Sequence, residues 1–150
     1  DAVMPRRDEG SGKFALYPDC YAAADFALYP TRWEGFGNQL LEIAASLLPV
    51  AVFEYPVFKE DIAPLGFAVV SLGDTSLKPK GANGLRELPT KRLSDAAERI
   101  WELLTDERQY QEVVERNQAL GSRHFGLQVL REHLEEVTEW AAHYDRGKSN

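Results

Sequence analysis

Apolar residues fall into short blocks set between polar, glycine- and proline-rich stretches. Tyr17 to Ala24 has the composition of a short helix. Ala27-Leu28-Tyr29 is an apolar run stopped by Pro30 and reads as a strand. Thr31 to Gly37 reads as a loop. Asn38 to Leu48 reads as a helix whose apolar positions, Leu40, Leu41, Ile43, Ala44, Ala45, Leu47 and Leu48, cover nearly all sides, which predicts deep packing. Pro49 is expected to end it. Val50-Ala51-Val52-Phe53 follows, continuously apolar rather than alternating, as expected of a central parallel strand covered on both faces. Phe67 to Leu72 is a third strand candidate.

From Gly73 to Pro89 the chain changes character, with Lys78-Pro79-Lys80-Gly81 and Gly84, and reads as a loop. Beyond it the pattern turns helical. Ser94 is a candidate N-cap for a helix carrying Ala97, Ile100, Trp101 and Leu104 on one face. Asp106 followed by Gln109 resembles a capping box. It predicts a helix through Tyr110, Val113, Val114 and Asn117 that closes at Gly121. Leu127, Leu130, Leu134, Val137, Ala141 and Tyr144 recur at spacings of three and four and mark a last helix.

The resulting layout is a loop or cut end over residues 1–13, a βαβ segment over 14–72, a linker over 73–90 and a helical tail over 91–145. Strand, helix, strand in that order gives an α/β class with a parallel sheet. A doubly wound domain usually has about five or six strands. This chain is thin by comparison, so the first half of such a domain is expected to lie outside the sequence.

Composition narrows the picture. At 150 residues the chain can form one domain with a sizeable core. The net charge of −7 argues against nucleic acid as a partner, because phosphate binding there needs a basic face. A single diphosphate is different, since backbone N–H groups at a helix N-terminus can hold it. No apolar run approaches the roughly 20 residues that span a bilayer. Asp1, Arg6, Arg7, Asp8 and Glu9 do not read as a signal peptide, and the lone Cys20 fits a reducing, cytoplasmic setting.

The candidate chemistry lies in Glu34-Gly35-Phe36-Gly37-Asn38-Gln39-Leu40-Leu41-Glu42, where a strand hands over to a helix. Gly35 and Gly37 permit backbone angles closed to other residues and let a ligand approach the main chain. The first-turn N–H groups are unpaired within the helix and sit at its positive end. Glu42, about one turn in, has the chemistry to accept hydrogen bonds from two ribose hydroxyls. Glu34, at the other end of the loop, can accept from sugar hydroxyls or stabilise positive charge at an anomeric carbon. Glycine-rich turns are common, and Glu34 on its own is compatible with an ordinary loop carboxylate. Glu42 is the stronger signal, because a carboxylate in an otherwise apolar helix is costly unless paired.

Glu34 to Glu42 resembles the E-x7-E motif of the family 4 retaining glycosyltransferases, in the form EGFGNxLLE. The flanks agree. Ala24 to Pro30 resembles the preceding strand, and Tyr55-Pro56-Val57-Phe58, Asp61-Ile62-Ala63-Pro64 and Gly66-Phe67 resemble the segment after the next strand. Leu103-Leu104-Thr105-Asp106, Asn117 and His124-Phe125 resemble the helical tail. The resemblance implies the C-terminal, donor-binding part of a GT-B fold, a partial Rossmann-like domain with a helical tail. It also implies metal-independent, retaining transfer from a nucleoside-diphosphate sugar, which is a co-substrate, so that no separate cofactor is expected. In that frame Glu34 contacts the donor sugar, Glu42 binds the ribose, and the backbone of Gly35, Phe36, Gly37, Asn38 and Gln39 cradles sugar and phosphate. The family's basic Arg and Lys pair has no counterpart here, and the acceptor-binding N-terminal domain is a further expected partner. The chain alone is therefore expected to be inactive.

Other features have plainer readings. His124, His133 and His143 lack the spacing of a helical zinc pair, and no metal site is expected. His124 reads as a helix-start residue. Trp33 fits either the acceptor side of the site or a packed loop. Lys78, Lys80, Lys91 and Arg92 read as a solvated basic stretch, with membrane-surface contact left open. The competing reading is a non-catalytic interaction module that forms a homo-oligomer through its open sheet edge. Glu42→Ala separates the two. In the intact parent protein it is expected to weaken nucleotide-sugar binding without unfolding the chain, and unchanged donor affinity by calorimetry would count against the transferase reading.

Overall fold

A computed structural model describes residues 6–7, 14–15, 17–77 and 87–148. In chain order the elements are β1 (Arg6–Arg7), β2 (Phe14–Ala15), α1 (Tyr17–Ala22), β3 (Ala27–Tyr29), α2 (Asn38–Ala45) and β4 (Val50–Glu54). A π-helical turn at Phe58–Ile62 and a 3-10 turn at Ala63–Leu65 lead to β5 (Val70–Asp74). Three helices complete the chain: α3 (Thr90–Thr105), α4 (Glu107–Phe125) and α5 (Leu127–Lys148). Lys78, Pro79, Lys80, Gly81 and Gly84 of the expected linker lie outside the described residues, as do Gly10, Ser11 and Gly12.

β3, β4 and β5 form a parallel sheet in that order, with β4 in the centre. The α/β class with a parallel sheet and flanking helices is therefore observed. Val50 through Phe53 are all buried, as a strand covered on both faces must be. Their side chains alternate between two cores. Val50 and Val52 pack with Leu40, Ile43 and Ala44 of α2, while Ala51 and Phe53 pack with Val70, Leu72 and the α3 residues Ala96 and Leu103. Near the N-terminus, β1 pairs antiparallel with β2, so Arg6–Arg7 form a short strand within the stretch 1–13 that reads as loop or cut end.

Several boundaries move, each for a local reason. α2 ends at Ala45, before Pro49 acts. Leu47 takes a left-handed conformation at φ 57, its N–H donates to the Ala44 carbonyl at 3.2 Å, and the Leu48 N–H donates to Ile43 at 3.3 Å. These are the two bonds of a Schellman cap, made here without the usual glycine. Only one face of α2 is buried, through Leu40, Ile43 and Ala44, while Glu42 and Ala45 are exposed. The all-round packing expected of this helix is not found.

α3 starts at Thr90 after Pro89, four residues before the expected Ser94 cap, and buries Ala96 and Leu103. Ala97, Trp101 and Leu104 are exposed, so the buried stripe lies to one side of the one read from sequence. The Asp106 cap is as expected: its carboxylate accepts from the Gln109 N–H at 3.1 Å and from the Gln109 side-chain amide at 2.8 Å. Those bonds hold the exposed Asp106 carboxyl below its usual range. α4 does not stop at Gly121 but runs on to Phe125, so His124 sits in its last turn rather than at a helix start. In the same turn the Arg123 guanidinium complements the negative end of the helix dipole.

β5 begins at Val70, not Phe67, because a side chain takes the backbone groups just before it. Asn117, buried in α4, accepts from the Ala68 N–H at 2.8 Å and donates to the Ala68 carbonyl at 2.8 Å. This two-way clamp ties α4 to the entry of β5. Asn117→Ala strands both Ala68 groups and is expected to lower unfolding free energy by about 2–3 kcal/mol in urea denaturation. A loss within ~0.5 kcal/mol would show the clamp to be dispensable.

Candidate functional site

Because β3, β4 and β5 run parallel, their C-terminal ends share one edge of the sheet, the edge at which open α/β sheets hold ligands. The loop after β3 carries Arg32 and Glu34, Tyr55 follows β4 directly, and Thr75 follows β5. Arg32 joins two of these loops by donating from Nη2 to the Thr75 carbonyl at 2.6 Å. It places a partly buried cation on an acidic chain.

The motif loop enters α2 through Gly37, which is the N-cap at φ 105 and ψ 45, with no side chain capping the helix. The Leu40 and Leu41 N–H groups both turn back to the Gly37 carbonyl, at 2.9 and 3.4 Å. The first-turn amides of Asn38 and Gln39 precede any intrahelical acceptor and face outward by geometry. Gly37 is required on two counts. Its positive φ disfavours any L side chain, and a Cβ there would overlap the Tyr55 hydroxyl. Gly35 differs from the expectation: it does not adopt a positive φ, and a Cβ would meet nothing within 4 Å. Its contribution is open space in front of the loop rather than an unusual backbone angle.

Glu34 is half-buried. Its carboxylate accepts from the Tyr29 hydroxyl at 2.6 Å and from the Gly35 N–H at 3.3 Å. The Tyr29 oxygen also lies 3.2 Å from Gln39 Oε1. A phenol has one proton, and the shorter contact to the carboxylate takes it. Turning the Gln39 amide to donate satisfies the second contact. Tyr29 thereby links the loop glutamate to the first turn of α2.

Glu42 is not the buried charge expected from sequence. It is exposed and accepts from the Tyr21 hydroxyl at 3.1 Å. Asn38 and Glu42 are four residues apart and lie one above the other on the exposed face of α2. Glu42, Leu41 and Ala45 face Gln118, Ser122 and Phe125 of α4 across a groove of about 390 Å³. Phe36 leans on that end of α4, its ring edge-on to Phe125 at a centroid distance of 5.4 Å. Trp33 is exposed, so the packed-loop reading of this residue does not hold.

Sequence reasoning missed the three tyrosines that organise the site. Tyr21 and Tyr29 each hold one motif glutamate, and Tyr55 backs Gly37. The available signal was positional: Tyr29 closes one parallel strand and Tyr55 follows the next, at the ligand edge. A second, charged cleft of about 390 Å³ lies between β5 and α3, lined by Glu54, Asp74, Arg92 and Arg99. Ser71 at its wall donates to Glu54 at 2.5 Å, and Arg92 lies over Gly73. No group of three or more His, Cys, Asp or Glu is placed to hold a metal among the described residues. Among the same residues, no helix is long and apolar enough to cross a membrane.

The chain is similar to the mannosylglucosylglycerate synthase of Thermotoga maritima, at 47% identity over 120 residues that make up 80% of this chain and 27% of the relative. It is similar also to the mannosylglucosylglycerate synthase of Petrotoga mobilis, at 42% identity over 125 residues, 83% of this chain and 28% of that relative. The chain thus spans little more than a quarter of the length of these curated relatives. No protein-family profile matches it, and no solved structure does.

The two glycines of the motif make a direct comparison. Gly37→Ala is expected to cost about 2 kcal/mol or more in chemical denaturation, from backbone strain together with displacement of Tyr55. Gly35→Ala, in open space, is expected to stay within ~0.5 kcal/mol. Equal costs would contradict this division of roles.

Proposed function

We propose that this chain is the donor-binding part of a retaining, metal-independent glycosyltransferase of family 4, taking a nucleoside-diphosphate sugar at the start of α2. The observation that carries the reading is the uncapped α2 N-terminus behind Gly37, set between two glutamates that tyrosines hold in place. In this reading the diphosphate lies against the outward amides of Asn38 and Gln39, where the helix dipole favours negative charge. Glu42 accepts hydrogen bonds from the ribose, and Glu34 from the donor sugar. Gly35 and Phe36 supply backbone to the cradle, and the space in front of Gly35 admits the ligand. The name of the relatives describes building a product from mannosyl, glucosyl and glycerate units, which supports sugar transfer as the reaction class.

The proposed chemistry needs no protein nucleophile. The bond from the anomeric carbon to the diphosphate oxygen breaks, the acceptor oxygen bonds to the same face, and its proton passes to the leaving phosphate. The acceptor site is assigned to a further domain of the parent, so the isolated chain is expected to be inactive. A second reading, an interaction surface, has one observation in its favour. The stripe of Leu127, Leu130, Leu134, Val137 and Trp140 along α5 is exposed, and an apolar face of that length calls for cover. The same acceptor domain would supply it.

The test is calorimetric titration of the parent protein with UDP, GDP and ADP and with their hexose conjugates. One base is expected to bind. Glu42→Ala should weaken both the diphosphate and its conjugate about tenfold, whereas Glu34→Ala should weaken the conjugate more than the bare diphosphate. Identical affinities in wild type and both variants would sink the reading.

A further inference from the structure

Tyr29 closes β3, packs against the core beneath α2, and stands edge-on to the buried Tyr55 ring at a centroid distance of 6.3 Å. The phenol is thus carried by the sheet, while its hydroxyl lies between two parts of the motif loop. It donates to Glu34 Oε2 at 2.6 Å, the short bond expected when the acceptor is charged. Gln39 Oε1 lies 3.2 Å away on its other side. With the Gln39 amide turned to donate, a chain runs from the first turn of α2 through the phenol to Glu34.

Glu34 belongs to neither β3 nor α2. A loop glutamate samples several rotamers, and ordering it around a ligand costs entropy. Here it is held beforehand: Tyr29 binds Oε2, and the Gly35 N–H reaches Oε1 at 3.3 Å. The Gly35 bond is long and comes from the loop itself, so the Tyr29 bond is the one that ties Glu34 to the sheet. The carboxylate remains half-exposed between the exposed residues Trp33 and Gly35. An ionised carboxylate has about four acceptor sites, so capacity is left for a ligand.

We infer that Tyr29 is a positioning residue for sugar recognition: by fixing Glu34 relative to the start of α2, it makes the site favour a diphosphate carrying a hexose over the bare diphosphate. Tyr29 touches no ligand and acts through Glu34. This inference rests on the donor-binding reading and adds to it a residue outside the Glu34–Glu42 motif. The selectivity follows from where the hydroxyl acts. The diphosphate is assigned to the amides of Asn38 and Gln39, which the Gly37 turn and the helix backbone place. The sugar is assigned to Glu34, whose orientation depends on the phenol oxygen.

Tyr29→Phe keeps the ring and removes the hydroxyl. In the full-length parent protein, calorimetry measures affinity for whichever of UDP, GDP and ADP the wild type binds, and for its hexose conjugate. The variants are Tyr29→Phe, Glu34→Ala and the two combined, and Tm is recorded for each without ligand. Tyr29→Phe is expected to weaken the conjugate about fivefold and to leave the bare diphosphate within about twofold. In the Glu34→Ala background the same change is expected to have no further effect on the conjugate. A hydroxyl that serves only folding would lower Tm and shift both ligands alike. An unchanged ratio of the two affinities in Tyr29→Phe, whatever its Tm, overturns the inference; a ratio lowered by Glu34→Ala in the same series leaves the donor reading standing. An equal loss with and without Glu34 also overturns it, because the hydroxyl then does not act through that carboxylate. If wild type binds none of these ligands, the donor reading falls and this inference falls with it.

Discussion

The fold depends on covering β4 from both sides. Four consecutive buried residues, Val50 to Phe53, leave no face of this strand for water. Alternation along a strand sends Val50 and Val52 to one side and Ala51 and Phe53 to the other, so one helix layer cannot satisfy it. α2 covers the first side and α3 the second, and each brings its own small core. With β3 and β5 paired in parallel on either side, every loop that leaves the C-terminal end of the sheet emerges on the same edge. The position of the candidate site follows from that arrangement.

At this edge the local parts depend on one another. Gly37 must be a glycine because the turn into α2 uses a left-handed backbone and because Tyr55, anchored at the end of the central strand, occupies the adjoining space. Tyr29, at the end of the neighbouring strand, fixes Glu34 and touches Gln39. The motif loop is therefore set by the ends of two strands rather than by its own sequence. A glycine-rich loop without such backing would lose more conformational entropy on ordering around a ligand.

The helical tail braces the sheet at its other end and the motif loop at its side. Asn117 secures the entry to β5, and Phe125 at the end of α4 packs against both Phe36 and Phe67. α5 then leaves this assembly with its apolar stripe uncovered, in a chain that matches little more than a quarter of its relatives. Net charge remains −7, yet Arg32 puts a fixed cation beside the motif loop.

The sequence alone determined the class and the order of the strands and α-helices from α1 onward. A short unbroken apolar run after a helix-ending proline favours a central strand, and Asp106 with Gln109 carries its cap chemistry locally, so both were legible. The motif from Glu34 to Glu42 was legible as a strand-to-helix turn with two carboxylates. Other features were decided by contacts between distant residues. Helix faces shifted because α2 and α3 each meet a sheet whose position the helices do not encode, which left Glu42 exposed rather than buried. β5 starts late because Asn117, 49 residues further on, takes the backbone of Ala68. α4 runs through Gly121 because no left-handed turn is imposed there, while Leu47 adopts one without being a glycine. The tyrosines behind the glutamates were marked only by their position at strand ends, and their partners were not legible, for the same reason. A periodic pattern shows which residues prefer burial, but the partner each one meets depends on how strands and helices are brought together in space.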